Sequence, residues 1–251
     1  MTRHGFVFRL VCLSLVAVPA PALRAEEMPG DFVYLRDVDP TLQQDIRYAG
    51  PNNFTGAPVP GYDAPECVLV RQAAEALKAV QADLKAKGLG LRVYDCYRPV
   101  RAVAAFVDWA KGADDPELKA IYYPNIPKGA LMPDYIATRS GHSRGATVDL
   151  TLVPLGKEIT ETQAVAACSA PQGNEAPDGS LPMGTTFDCF DTKANLGAPG
   201  VSAREEENRE TLRAAMLAHG FKDYSPEWWH FTLGKEPYPD TYFDFPISPR
   251  K

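Results

Sequence analysis

The stretch SGHSRGATVDLTLV, residues 140–153, joins a glycine-flanked turn to an alternating strand. Apolar side chains at positions 148, 150 and 152 point to one face of the strand, and polar side chains at 147, 149 and 151 point to the other. The pattern therefore predicts a strand over Ala146–Val153. It places His142 in the turn that enters the strand and Asp149 on the face that is not apolar.

Helical and extended patterns flank this strand on both sides. Apolar spacings of three and four predict a helix from Cys67 to Lys87, and a second helix is expected over Val100–Trp109. Ser202, followed by glutamates at 205–207, predicts the capped start of a third helix that ends at Gly220. Shorter strands are expected at 45–48, 91–95, 130–138, 221–224 and 229–233. No repeat or linker divides the chain, so the pattern predicts one α+β domain.

Residues 1–25 are typical of a secretory signal peptide. Basic residues precede an apolar stretch over 10–18, and small residues lead to Ala25. The apolar stretch is shorter than the ~18–20 residues that a membrane span needs, which favours export over anchoring. Cleavage is expected after Ala25, with Ala22 as the alternative. The mature domain, residues 26–251, is then periplasmic or secreted.

The composition excludes several classes of protein. Hydrophobic residues make up 45% and charged residues 23% of the chain, which argues against wholesale disorder. The net charge of −6 implies no basic face, so no nucleic-acid partner is expected. No apolar run reaches the ~18–20 residues of a membrane span, so none is expected in the mature chain. The segment 155–182, rich in Gly, Pro, Asn and Ser, is expected to be a long loop.

Export makes the cysteine count informative. Removal of residues 1–25 leaves four cysteines, an even number that suggests two disulfides in an oxidising compartment. Three pairings are possible, and we favour those that enclose short stretches, Cys67–Cys96 and Cys168–Cys189. A zinc site built from cysteines would need close Cys-x-x-Cys spacing, which the sequence lacks.

The residues with catalytic chemistry concentrate in two segments. His142 and Asp149 lie in the first, and Glu227 and His230 lie in the second. Two imidazoles and one carboxylate suit a catalytic zinc ion that keeps one position open. A carboxylate beside such a site, here Glu227, can take a proton from the attacking water and pass it to the leaving amine. The remaining histidine of the mature chain, His219, is interpreted as a structural residue at a helix end.

Each of these side chains also has an ordinary structural interpretation. A histidine beside glycine is common in turns, an aspartate on a strand can face water, and a Trp-Trp-His run can belong to a core. The spacing is also not the His-Glu-x-x-His signature of many zinc peptidases. The residues alone therefore leave the zinc site as one of two interpretations.

A longer series of motifs carries a family resemblance. The pattern Ser-x-His-x-x-Gly-x-x-x-Asp over 140–149 is followed far downstream by Glu-x-x-His over 227–230. This combination resembles the zinc D,D-peptidases that act on peptidoglycan-type peptides, and most closely the D-alanyl-D-alanine dipeptidase (VanX-like) family. Further resembling segments follow in the same order along nearly the whole mature chain: 53–62, 95–99, 122–126, 183–188, 236–239 and 242–246.

The resemblance implies a fold, a reaction and a catalytic site. The implied fold is a single α+β domain with a central antiparallel sheet, flanking helices and one zinc ion at the strand ends. The implied reaction is hydrolysis of the small dipeptide D-alanyl-D-alanine to two D-alanines. By the resemblance, His142, Asp149 and His230 are the zinc ligands and Glu227 is the general base and acid. Arg98 holds and polarises the scissile carbonyl, unless it is an ordinary surface ion pair.

The resemblance also implies residues that contact the substrate. The carboxylate of Asp188 would receive the substrate's free ammonium, together with Ser140 and Tyr48. Three aromatic side chains would shape a small pocket: Tyr62, Phe106 and Trp228. The alternatives are a turn-capping role for Asp188 and ordinary core positions for the aromatic residues.

Two departures from the family bear on specificity and biological role. The segment 155–182 is longer than compact members require and leads into Asp188, so it is expected to border the pocket. An exported enzyme fits scavenging of D-alanine from cell-wall turnover better than destruction of a cytoplasmic precursor. The alternatives are a D,D-carboxypeptidase or endopeptidase acting on longer peptides, and a non-catalytic binding module. The presence of both Glu227 and Arg98 argues against the binding module.

Overall fold

The computed structural model describes residues 1–2, 26–158 and 166–250. Most of the predicted signal peptide and part of the predicted 155–182 loop lie outside the described residues, so the signal remains a prediction. Among the helices of the described ranges, none combines the length and apolar character that a membrane crossing requires.

In the described residues, seven strands form two sheets. They are β1 (Phe32–Tyr34), β2 (Gln43–Gln44), β3 (Val68–Val70), β4 (Leu89–Asp95), β5 (Thr147–Pro154), β6 (Phe221–Tyr224) and β7 (Glu227–Leu233). The main sheet has the order β2-β4-β5-β7-β6, and β1 pairs with β3 separately. All pairs are antiparallel except β2–β4, a parallel pair at one edge. The predicted α+β domain with a central antiparallel sheet is confirmed.

Within the same described ranges, five α-helices accompany the sheets: α1 (Leu35–Val38), α2 (Arg71–Lys85), α3 (Val100–Lys111), α4 (Pro116–Tyr122) and α5 (Ala203–Ala218). Helix α2 buries Ala73, Leu77 and Leu84, which share one face through their spacing. Helix α5 begins with a capping box, in which Ser202 and Glu205 each accept a hydrogen bond from the other's backbone N–H.

Strand β5 occupies the middle of the main sheet and is buried on both faces. Val148 and Leu150 are fully buried in the apolar core, as the alternation predicts. The polar side chains of Asp149 and Thr151, on the other face, are also buried, at 2% and 0% exposure. Such polar burial is costly unless the groups are paired, so this face is the natural place for a site.

Several predicted elements differ from the structure. The strand expected over 45–48 is a two-residue strand, β2, followed by a 3-10 turn at Arg47–Ala49. The strand expected over 130–138 is absent from this described segment, which begins with a 3-10 turn and contains Pro133, a residue that cannot donate to a strand ladder. The helix expected from Cys67 begins at Arg71, because β-branched residues before it form β3. Helix α4 was not predicted.

The disulfides have the favoured pairing. Cys67 is bonded to Cys96 and Cys168 to Cys189, each with Cα atoms 5.3 Å apart. The first bond joins the start of β3 to the end of β4. The second bond joins the long loop to the residue after Asp188, but no described residue of 155–182 lines the cavity that contains Asp188.

The described end of the long loop is also fixed to the sheet by a buried ion pair. Asp178 Oδ2 lies 3.0 Å from Arg47 Nη2 and accepts a hydrogen bond from the Tyr94 hydroxyl. Its main-chain carbonyl accepts a hydrogen bond of 2.5 Å from Arg92, whose side chain is fully buried. Because Arg47 precedes Tyr48, this attachment links the loop to a residue that lines the cavity described below.

Candidate functional site

Three side chains converge at the end of strand β5. The ladder between β5 and β7 sets Asp149 directly opposite His230, and the turn before β5 brings His142 to both. His142 Nε2 lies 3.3 Å from Asp149 Oδ2, and His230 Nδ1 lies 3.1 Å from Asp149 Oδ1. The two imidazole nitrogens are 3.3 Å apart. Sheet register, rather than sequence spacing, thus brings these three residues together.

Hydrogen bonding and burial prepare these side chains as ligands. His142 Nδ1 lies 2.7 Å from the carbonyl oxygen of Cys96 and donates to it, which leaves the lone pair on Nε2. Burial lowers the pKa of His230 and favours the neutral ring. Burial opposes ionisation of Asp149, but the neighbouring His142 and His230 outweigh it, so the pKa of Asp149 lies well below its usual range.

The donor set fits a divalent metal ion. A carboxylate oxygen of Asp149 and one ring nitrogen from each of His142 and His230 all lie within 4.8 Å of one another. Asp149 Oδ1 is buried and makes no hydrogen bond of good geometry, although His230 Nδ1 is close to it. A cation bound among these donor atoms would accept their free lone pairs. Two imidazoles and one carboxylate form a donor set typical of catalytic zinc.

A second carboxylate stands beside this cluster. Glu227 Oε2 lies 3.6 Å from His230 Nδ1, at the start of β7. Burial, together with the carboxylates of Asp149 and Asp188, raises the pKa of Glu227 well above its usual range. A carboxylate in this setting is able to hold and release a proton, and a bound cation nearby would favour its ionised form.

Arg98 lies on the other side of the cluster and is held by Asp95. Its Nε and Nη2 atoms lie 2.9 and 2.8 Å from Asp95 Oδ2, and Nη2 is 3.6 Å from Asp149 Oδ2. The guanidinium also lies over the rings of Tyr48 and Phe106, at 5.2 and 5.0 Å from their centroids. Arg98 is therefore not an ordinary surface ion pair. Its orientation is fixed from two sides.

Asp188 and Tyr48 form a buried polar pair. The Tyr48 hydroxyl lies 3.0 Å from both carboxylate oxygens of Asp188 and donates to the carboxylate. Burial and the negative charge of Asp149 raise the pKa of Asp188 well above its usual range. The backbone of Asp188 has φ of 58°, a left-handed conformation that a non-glycine residue adopts only when its surroundings impose it. The Cys168–Cys189 bond is directly adjacent.

A single cavity of about 240 Å³ brings these groups together. Its lining contains the three clustered side chains and most of the other residues expected from the sequence: Glu227, Arg98, Asp188, Tyr48, Ser140 and Phe106. Ser140 Oγ also accepts a hydrogen bond from the backbone N–H of His142, which fixes the turn.

Two expected pocket residues lie elsewhere in the described structure. Trp229, not Trp228, lines the cavity. The Trp228 indole instead donates to Thr185 Oγ1 at 2.8 Å. Tyr62 lies behind Arg98, where its hydroxyl donates to Asp95 Oδ1 at 2.6 Å.

Sequence reasoning missed Asp95 and the segment before His142. Asp95 is fully buried and orients both Arg98 and Tyr62, and its position three residues before Arg98 was an available signal. Asp134, Arg139 and further residues of 133–139 line the cavity, although that segment has no periodic pattern that would place it there.

Together, the fold and site define a class of protein. A buried set of two histidines and one aspartate, beside a carboxylate and a fixed arginine in one small cavity, is the arrangement of a metallopeptidase. The sequence matches the D-ala-D-ala dipeptidase family, Peptidase_M15, over residues 28–167 and 175–248. The chain belongs to this family. The unmatched residues 168–174 fall within the long loop.

Relatives with assigned names agree with the family. The chain is 41% identical over 222 residues to a D-alanyl-D-alanine dipeptidase of Streptomyces coelicolor, covering 88% of this chain and 100% of the relative. It is 38% identical to one of Enterococcus faecium, covering 86% and 98%. A D-alanyl-D-alanine dipeptidase of Escherichia coli is 30% identical over 81% of this chain and 84% of the relative.

Similarity to solved structures is looser. A zinc-bound vancomycin resistance D,D-pentapeptidase, VanY, aligns over 67% of this chain and 74% of that chain. The sequence identity is 14% and the TM-score is 0.33, which is too low to carry a structural argument.

Proposed function

We propose that this protein hydrolyses D-alanyl-D-alanine to two D-alanines with one zinc ion held by His142, Asp149 and His230. The observation that carries the proposal is the composition of the cavity. A metal-binding cluster, a general base and a buried carboxylate suited to an ammonium group all line the same small space. Membership of the D-ala-D-ala dipeptidase family supports the same substrate.

The proposed mechanism assigns the proton transfers to Glu227. A zinc ion at the cluster would act as a Lewis acid toward the scissile carbonyl and the attacking water. Glu227 takes a proton from the water as it attacks and then delivers that proton to the departing amine. Its place beside His230, at 3.6 Å, puts it near both steps. One residue thus acts first as base and then as acid.

Arg98 and Asp188 perform the complementary tasks. The guanidinium of Arg98, fixed by Asp95, donates to the carbonyl oxygen on which negative charge develops, and so stabilises the transition state more than the ground state. Asp188, with the Tyr48 hydroxyl donating to it, receives the substrate's free ammonium. A buried carboxylate in this role makes a free N-terminus a requirement.

The experiment that tests the function compares three substrates. Purified, zinc-loaded mature protein is assayed for amine release from D-Ala-D-Ala, L-Ala-L-Ala and an N-acetylated tripeptide that ends in D-Ala-D-Ala. Cleavage of the free D,D-dipeptide alone is expected. Cleavage of the blocked tripeptide instead would keep the metal site but move the enzyme to the D,D-carboxypeptidase class.

Replacing Asp188 with Asn is expected to lower kcat/KM for D-Ala-D-Ala by about 10- to 100-fold, because charge-assisted hydrogen bonds contribute about 1.5–3 kcal/mol. Zinc content and the midpoint of thermal unfolding should change little, and both are the internal controls. A loss of zinc or of stability in Asp188→Asn that accounts for the lost activity would show that Asp188 supports the fold rather than the ammonium.

The Cys168–Cys189 bond is expected to affect both stability and substrate binding. The double variant Cys168→Ser/Cys189→Ser should lose about 3 kcal/mol of unfolding free energy, as for a loop of this length. Its KM for D-Ala-D-Ala should rise, since the bond adjoins Asp188. Denaturant unfolding and steady-state kinetics at a permissive temperature test this, and an unchanged KM would separate the bond from the site.

The biological role that we propose is recovery of D-alanine from cell-wall peptides outside the cytoplasm. The sequence of residues 1–25 and the two disulfides support export. Cell fractionation of the native host, with D-Ala-D-Ala cleavage as the assay, tests this location. Activity confined to the cytoplasm would contradict it.

A further inference from the structure

The charges that line the cavity are unbalanced toward the negative. Four carboxylates line it, those of Asp134, Asp149, Asp188 and Glu227, against two guanidinium groups. One guanidinium, Arg98, is already engaged by Asp95 and lies near Asp149. The other belongs to Arg139. Without a metal ion, the lining therefore repels the negative end of a substrate except near its arginines.

Arg139 is the lining arginine that no carboxylate pairs with in the described part of the chain. Among the described residues it forms no ion pair, and its guanidinium lies over the Tyr242 ring, 5.3 Å from the centroid. The neighbouring Arg144, by contrast, is paired with Glu236 at 2.7 and 2.8 Å. Stacking on an aromatic ring restrains an arginine without consuming its hydrogen-bond donors, so Arg139 can bind a carboxylate with two parallel bonds.

The backbone of Arg139 is tied to the catalytic centre. It precedes Ser140, whose hydroxyl accepts a hydrogen bond from the N–H of His142 at 3.3 Å. The residue is exposed at the cavity wall, whereas Asp188 is buried. Both side chains line the same cavity as the metal cluster, so one small ligand is able to contact all three.

We propose that Arg139 binds the C-terminal carboxylate of the substrate, so that a free acid binds more tightly than its amide. This inference rests on the proposed function and extends it. Contacts at both ends favour a short peptide whose ammonium and carboxylate are both free. The same contact would hold the departing amino acid until its amine is protonated.

The test pairs each protein with a free acid and its amide. Kinetics are measured for D-Ala-D-Ala and D-alanyl-D-alaninamide with the zinc-loaded wild type, Arg139→Gln and Arg139→Lys. The exposed Arg204, which contacts only Asn174 among the described hydrogen-bond partners, supplies the control Arg204→Gln. Arg139→Gln should raise KM for the free acid about tenfold with little change in kcat, and should leave KM for the amide unchanged.

The outcomes separate this inference from the proposed function. Arg139→Lys should recover part of the affinity for the free acid, and Arg204→Gln should behave as the wild type. An equal effect of Arg139→Gln on acid and amide, or no effect, overturns the carboxylate site while leaving the dipeptidase intact. A wild type that cleaves neither peptide overturns the proposed function. Calorimetric binding of acid and amide then decides the site, and equal or absent binding overturns it.

Discussion

Replacing Glu227 with Gln is expected to lower kcat for D-Ala-D-Ala by about 10²- to 10⁴-fold, the usual contribution of a general acid–base residue. The amide has nearly the shape of the carboxylate but cannot accept the proton from water or return it to the amine. Zinc content should not change, because Glu227 is outside the three-residue cluster that presents the donor atoms. Single-turnover kinetics and metal analysis of the same sample test both statements.

A matched control for Glu227→Gln is available on helix α5. Glu210 is exposed there, and Glu210→Gln should leave kcat, KM and zinc content unchanged. Retained turnover in metal-loaded Glu227→Gln protein would remove Glu227 from the mechanism. Loss of zinc in that variant would make it a ligand-supporting residue instead.

Replacing Arg98 with Lys is expected to lower kcat/KM by about 10²- to 10³-fold, as when an oxyanion-stabilising donor is removed. Lysine keeps the positive charge beside the buried Asp95, so the ion pair and the fold should survive. It lacks the planar fork that lets arginine bond to Asp95 and still present a donor to the carbonyl oxygen. The loss should fall mainly on kcat.

The control for this prediction is Arg101→Lys. Arg101 lies three residues after Arg98, in helix α3, and its pair with Asp244 is about 40% exposed, so the substitution should change activity less than twofold. Thermal unfolding of both variants shows whether either has lost stability. An Arg98→Lys protein with native stability and native kcat would contradict the assignment.

Local pattern predicted much of the architecture because the relevant signals lie within single elements. The alternation around Asp149 is confirmed in β5, and the cap at Ser202 is confirmed in α5. Local pattern did not predict that His142, Asp149 and His230 converge. It depends on the register between β5 and β7, which no spacing encodes, so only the family resemblance predicted it.

The other differences between the predicted and the observed pocket residues also arise from tertiary structure. Trp228 and Trp229 are indistinguishable by type, and only the folded structure shows that Trp229 lines the cavity while Trp228 donates to Thr185. Tyr62 was expected at the substrate, but it supports Asp95, a residue whose importance appears only when the chain is folded. Segment 133–139 lines the cavity without regular structure, and an irregular segment leaves no periodicity to predict its position.

Cys96 takes part both in a disulfide bond and in the hydrogen bonding of a candidate metal ligand. Its sulfur closes the bond to Cys67, and its carbonyl oxygen receives the Nδ1 proton of His142, 2.7 Å away. The tautomer that lets His142 present Nε2 to a metal therefore depends on a backbone position that the disulfide restrains. Reduction of this one bond is therefore expected to affect the geometry of the metal-binding cluster as well as the stability of the fold.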